Sequence, residues 1–173
     1  MALDQDTLRQ LLDTVARFVR ERLVPLEARV AEDDAIPADV ADEMRALGLF
    51  GLSIPEEYGG LGLGMAEEVQ VAFELGRTSP VFRSLLGTNN GIGSQGIVID
   101  GTPEQKTRYL PKLASGEMIS SFALTEPEAG SDAGSLRTSA RRDGDHYVLN
   151  GTKRFITNAP EAGLFTVFAR TDP

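Results

Sequence analysis

The chain has 173 residues, 41% of them hydrophobic, which is enough to bury a core in one domain or in two small ones. Its net charge of −9, with no basic stripe, excludes a polyanion such as DNA or RNA as a partner. Zero cysteines exclude a disulfide framework and thiolate metal sites, and no targeting stretch or apolar run near the ~18 residues of a membrane span is present, so a cytoplasmic protein without a span is expected.

Leu8, Leu12, Val15, Val19 and Leu23 fall at the spacing of a one-sided buried helix, which Pro25 is expected to end or kink. A second helix is predicted to begin around Pro37 and to run to Gly48, where a left-handed cap is favourable. Gly59, Gly60, Gly62 and Gly64 crowd a segment that reads as a flexible loop, because it lacks the context of a dinucleotide fingerprint. A third helix is predicted over Glu67 to Gly76, with Val69, Ala72 and Phe73 on one side, and Ser84 to Ile99 reads as a largely buried helix. Within it, Asn89-Asn90-Gly91 either lines a pocket or ends the helix. Thr102, Pro103 and Gln105 form a capping-box start for a helix running to about Leu113.

Past Gly116 the periodicity changes. Ile119 to Thr125 is extended, Pro127, Gly130 and Gly134 punctuate a loop, and Leu136 to Arg142 and His146 to Leu149 flank a hairpin signal at Asp143-Gly144. A turn at Asn150-Gly151 leads into a strand predicted over Thr152 to Thr157, and Leu164 to Ala169 is a last strand. Residues 1–117 carry 11 Lys and Arg against 19 Asp and Glu, net −8, whereas 118–173 carry 6 against 7, net −1. The fold class is therefore α+β: an all-α portion, 1–117, followed by antiparallel strands, 118–173.

Four segments in this order resemble the acyl-CoA dehydrogenase family: Ile54 to Gly60, Gly101 to Lys106, Thr125 to Asp132, and Asn150 to Asn158. The resemblance implies an N-terminal helical domain over 1–117 and the first strands of an antiparallel β-barrel over 118–173, with the family's C-terminal helical bundle absent. It implies FAD as cofactor, with Phe122, Leu124 and Thr125 against the flavin's pyrimidine side. The resemblance likewise implies that Phe155 packs on the ring, that Ile156 adjoins it, and that Thr157 lies near N5. By the same resemblance, Gly130 and Ser131 come near the cofactor phosphates, and Ser131 also lies near the bound acyl-CoA. Many relatives carry Trp at the position of Phe155. On periodicity alone, ordinary sheet core ending in a turn is the better explanation of both segments; the match of four segments in order makes it the lesser one.

The implied reaction is α,β-dehydrogenation of an acyl-CoA thioester by a catalytic Glu that matches no position in 1–173, so no catalytic residue is named and this chain alone is expected to be inactive. Electron-transferring flavoprotein is the implied acceptor, and a homo-oligomer the implied assembly of the full-length protein. The alternatives are a flavin-dependent oxidase or monooxygenase on the same scaffold, or a non-catalytic binding subunit. Glu126 and Asp132 are read as structural. His146 is read as solvent-facing, and the pairs Arg141-Arg142 and Lys153-Arg154 as charges on the wet face of adjacent strands, with a phosphate contact as the alternative. No metal site is expected.

Overall fold

A computed structural model describes residues 3–172. Helix α1, Gln5–Phe18, starts at Asp4, whose carboxylate accepts from the Asp6 and Thr7 amides at 3.0 and 2.9 Å. Pro25 does not end this rod. It lacks an amide hydrogen and its ring crowds the preceding turn, and the chain accommodates both by widening to a π turn over Val19–Leu23 and tightening over Val24–Leu26 before α2, Glu27–Asp33. Pro37 precedes α3, Ala38–Ala46, as its cap residue, and Gly48 beyond it is left-handed, with φ of 70°.

The glycine segment is held in place, contrary to the flexible loop expected. Leu61, Gly62 and Leu63 donate to the carbonyls of Gly51, Ile54 and Leu52 at 2.8, 2.9 and 2.7 Å. A Cβ on Gly60 would lie 2.0 Å from the Ile54 carbonyl oxygen, so this close approach requires glycine. Helix α4, Met65–Leu75, buries Val71 and Leu75, while Val69 and Phe73 face outward, Phe73 with 73% of its surface exposed. Val15, Leu23, Val40, Met44, Leu49, Phe50, Val71, Leu75 and Phe82 form the main core. Burying each contributes about 1.5–3 kcal/mol.

The long buried helix expected over Ser84 to Ile99 is two helices, α5, Pro80–Asn90, and α6, Gln95–Asp100, separated by a turn. Leu85-Leu86 and Ile97-Val98-Ile99 are apolar, but Gly87-Thr88-Asn89-Asn90-Gly91 lies between them. The break follows Asn89 and Asn90, buried side chains that each bond outside their own helix, Asn90 also within it. Asn89 Nδ2 donates to the carbonyls of Leu113 and Met118 at 2.9 and 2.8 Å, and its Oδ1 accepts from the Ser120 amide and hydroxyl at 2.8 and 3.0 Å. Asn90 Nδ2 donates to the Leu49 and Leu86 carbonyls. Helix α7, Pro103–Ala114, has the reciprocal cap read from the sequence, with Thr102 and Gln105 bonded in both directions.

Four strands follow: β1, Ile119–Ala123; β2, Ser139–Asp143; β3, His146–Asn150; and β4, Ala162–Val167. β2 and β3 form the expected antiparallel hairpin, with Asp143 opposite His146. β1 instead pairs with β4 in parallel, Phe122 opposite Thr166, so the strands are not uniformly antiparallel, and the described residues form two separate pairs. The segment 152–157, expected as a strand, is irregular, because Phe155 and, just beyond, Asn158 have φ of 57° and 61°, outside the extended region. No helix of the described residues is long and apolar enough to cross a membrane.

Asn89 supplies four hydrogen bonds across three elements. Asn89→Ala strands several buried backbone groups and is expected to destabilise the protein by roughly 3 kcal/mol, read as a lower urea midpoint with an unchanged slope.

Candidate functional site

Phe122 lies within β1, Leu124 and Thr125 just past its end, and Phe155, Ile156 and Thr157 in the irregular segment. Backbone bonds and polar side chains bring these two stretches together. The Arg154 amide donates to the Thr125 carbonyl at 2.9 Å, and the Ser121 hydroxyl donates to the Thr157 carbonyl at 2.7 Å. Asn158 fixes the far end of the turn to the helical layer: its Nδ2 faces the carbonyls of Ser84 and Leu85 at 3.0 and 3.1 Å and the Thr88 hydroxyl at 2.9 Å. Left-handed backbone there is tolerated by Asn, whose short polar side chain finds its own partners. Thr166 adds a further tie, donating to the Gly93 carbonyl at 3.1 Å.

Behind the two stretches sits an ion pair that sequence reasoning missed. Lys153 was expected on a wet sheet face, yet its side chain is 13% exposed and its Nζ lies 2.9 Å from Glu126 Oε1 and 2.9 Å from the Leu124 carbonyl oxygen. The Glu126 carboxylate also accepts from the amides of Arg137 and Thr138, at 2.6 and 2.9 Å. Thr138 and Lys153, with the Arg137 amide, hold its carboxyl down to about 2. The structural role read for Glu126 is therefore met; the signal for its partner was a lysine two residues after the Asn150-Gly151 turn, which periodicity assigned to the wrong face. Asp132 bonds the Ser135 hydroxyl in the loop.

Thr157 is exposed and lines a cavity of about 240 Å³ together with Arg83, Ser84, Gly87, Thr88, Gly91 and Ile92 of the α5 end. Phe155 is 78% exposed, with the Arg154 guanidinium 4.4 Å from its ring centre. The Phe122 ring is 5.0 Å from that of Phe168. Gly130 and Ser131 are exposed on the loop after Glu126, and no hydrogen bond among the described residues joins Ser131 to either stretch. Arg141 and Arg142 are exposed on β2, and His146 on β3. Asn90 lines a second cavity, of about 450 Å³, with Ser53, Leu63, Met65, Glu68 and Arg83 among its other residues, so Asn90 both ends the helix and faces a pocket.

Residues 5–117 match the family model of the acyl-CoA dehydrogenase N-terminal domain, and residues 121–173 that of the acyl-CoA dehydrogenase middle domain. The chain belongs to the acyl-CoA dehydrogenase family. It is 43% identical over 171 residues to (2S)-methylsuccinyl-CoA dehydrogenase of Cereibacter sphaeroides, covering 98% of this chain and 31% of that protein. It is 40% identical over 166 residues to mitochondrial isovaleryl-CoA dehydrogenase of Bos taurus, covering 95% and 39%. The crystal structure of a glutaryl-CoA dehydrogenase from Mycobacterium smegmatis in complex with FADH2 superposes with a TM-score of 0.90 at 39% identity, covering 98% of this chain and 44% of that one. The chain thus spans less than half the length of these relatives.

The carboxyl of Glu126 has a lower affinity for protons when folded than its ordinary 4.5, so it adds stability above that value and loses it as the pH falls toward about 2. Acid titration of unfolding is expected to show a steeper loss in this window for the wild type than for Glu126→Gln, which has no proton to gain.

Proposed function

We propose that these residues form part of an FAD-dependent acyl-CoA dehydrogenase that oxidises the α,β bond of an acyl-CoA thioester. The observation that carries the reading is the joining of residues 122–125 to 155–158 beside the cavity lined by Thr157. The groups present fit a flavin: an exposed aromatic face at Phe155, an exposed hydroxyl at Thr157, and a Thr125 amide that donates to no described residue. When bound, the flavin supplies the hydride acceptor. The chain supplies the setting. Phe122, Leu124, Thr125, Phe155, Ile156 and Thr157 hold the ring and its polar edge, and Gly130 and Ser131 lie toward the phosphates and the thioester.

Fixed donors at that edge stabilise negative charge arriving with the hydride. Among the described carboxylates Glu126 is committed to its lysine, and the proton-abstracting base is assigned outside residues 1–173. The matched ranges of the two domain models support a division between 117 and 118. The paired strands are read as the start of a barrel, the acceptor as an electron-transferring flavoprotein, the assembly as a homo-oligomer, and the location as cytoplasmic.

A specific feature narrows the acyl group. The Arg83 guanidinium folds back over Gly87, its Nη1 3.3 Å from where a Cβ would sit, and it lines the same cavity as Thr157. It forms no ion pair with a described residue. Burial raises the Glu68 carboxyl, and the charge of Arg83 opposes this. Methylsuccinyl and glutaryl thioesters, for which two of the similar proteins are named, carry a carboxylate that such a cation would hold.

The full-length protein is expected to be isolated yellow, to release FAD on denaturation, and to bleach anaerobically on adding its acyl-CoA. A colourless, flavin-free protein overturns the reading, and bleaching only by a non-thioester substrate favours the oxidase or monooxygenase alternative. Arg83→Met is expected to lower kcat/KM for glutaryl-CoA about tenfold or more, the size of one charge-assisted hydrogen bond, with a much smaller change for pentanoyl-CoA.

A further inference from the structure

The lysine behind the two stretches has a directional consequence. A peptide unit is planar, and its carbonyl and amide point to opposite sides when it is trans, as every described peptide bond is here. Lys153 Nζ anchors the Leu124 carbonyl at 2.9 Å, and the amide of that same peptide belongs to Thr125. Holding the oxygen on the Lys153 side therefore turns the Thr125 N–H to the other side. The next peptide is fixed as well, its Thr125 carbonyl accepting from Arg154 and its Glu126 amide donating to the Ala129 carbonyl at 2.8 Å. Of the amides in these two peptides, the Thr125 N–H is the one that donates to no described residue.

Lys153 is itself confined. Its ammonium is held by Glu126, whose carboxylate is fixed by the Arg137 and Thr138 amides at the entry to β2. The lysine, with its side chain 13% exposed, thus has two partners within one rigid frame. A cation with one oxygen to neutralise and one carbonyl to orient is a device for setting a peptide plane.

We propose that Lys153 is a positioning residue that presents the Thr125 N–H to the pyrimidine edge of a bound flavin, with Glu126 as its anchor. The proposal rests on the flavin reading above. Negative charge reaches that edge on reduction, so a correctly aimed N–H favours the reduced cofactor over the oxidised one. A side chain that merely stabilised the fold would change both forms alike. The reduction potential consequently separates the two roles.

The test compares wild type, Lys153→Met, Lys153→Gln and Lys153→Arg in the full-length protein, measuring FAD affinity by fluorescence titration, the two-electron potential by dye equilibration, and melting of the flavin-free form. Lys153→Met is expected to weaken FAD binding about tenfold. A tenfold preferential loss of the reduced form lowers the potential by about 30 mV. Lys153→Gln, which keeps a donor, is expected to fall between Met and wild type, and Lys153→Arg to retain most of the wild-type potential. If Lys153→Met does not fold, Lys153→Gln carries the comparison. A potential unchanged from wild type in the folded variants overturns the proposal, even where melting falls, and leaves the flavin reading standing. Failure of the wild type to bind FAD overturns both.

Discussion

A carboxylate withdrawn from water has to be surrounded by donors, and that of Glu126 draws them from separate parts of the chain. The Arg137 and Thr138 amides come from the entry to β2, and the Lys153 ammonium from the segment after β3. Because the cluster is almost fully enclosed, its geometry has little freedom; a displaced partner would leave a buried charge unmatched. The irregular run from Lys153 to Asn158, which no ladder supports, takes its position from this cluster at one end. At the other end the Asn158 side chain ties it to α5.

The second dependency runs between the layers. Asn89 spans the end of α5, the end of α7 and the start of β1, and Thr166 reaches the Gly93 carbonyl from β4. These bonds place the parallel pair β1 and β4 against the broken α5–α6 connection. The cavity beside Thr157 arises where the layers meet and the helix is interrupted. Small residues at Gly87 and Gly91 leave its floor open, and the Arg83 side chain lies over the first of them. The Thr157 turn and the cavity thus share one junction with α5, so a change in the tilt of α5 would be felt at that turn through Asn158.

Much of this was legible in the amino acids. Local signals with a defined partner carried through: the Thr102 and Gln105 cap, the Asp143-Gly144 hairpin, the helical spacing of Val15, Val19 and Leu23. What failed were inferences in which periodicity stood in for tertiary contact. Val69 and Phe73 repeat like a buried face and are exposed, because α4 packs through Val71 and Leu75. Lys153 alternates like a solvated strand residue, yet its segment leaves the extended region at Phe155, so alternation carries no information there. The break between α5 and α6 falls at Asn89-Asn90-Gly91, one of the two roles open to that run in the sequence, and the distant carbonyls to which both amides bond lie outside any local pattern. Likewise, no local feature distinguishes a parallel partner from an antiparallel one. Of the candidate residues, those at 122–125 and 155–157 are drawn together, whereas no hydrogen bond among the described residues ties Gly130 or Ser131 to them.

The parallel pairing of β1 with β4 means that residues 124–161 form one crossover connection, and Thr125, Glu126, Lys153 and Thr157 all lie inside it. A chain emerging from the ribosome can therefore complete its helical core early, while β1 waits with an unsatisfied edge until β4 has been made. The delay is set by the length of that connection, and the exposed β2–β3 hairpin occupies its middle. Lengthening the hairpin tip would add little closure entropy, since the penalty grows only with the logarithm of the loop. Evolution thus has a place to insert sequence without disturbing the four residues on either flank, and nascent chains have a window in which chaperone protection of one strand matters most.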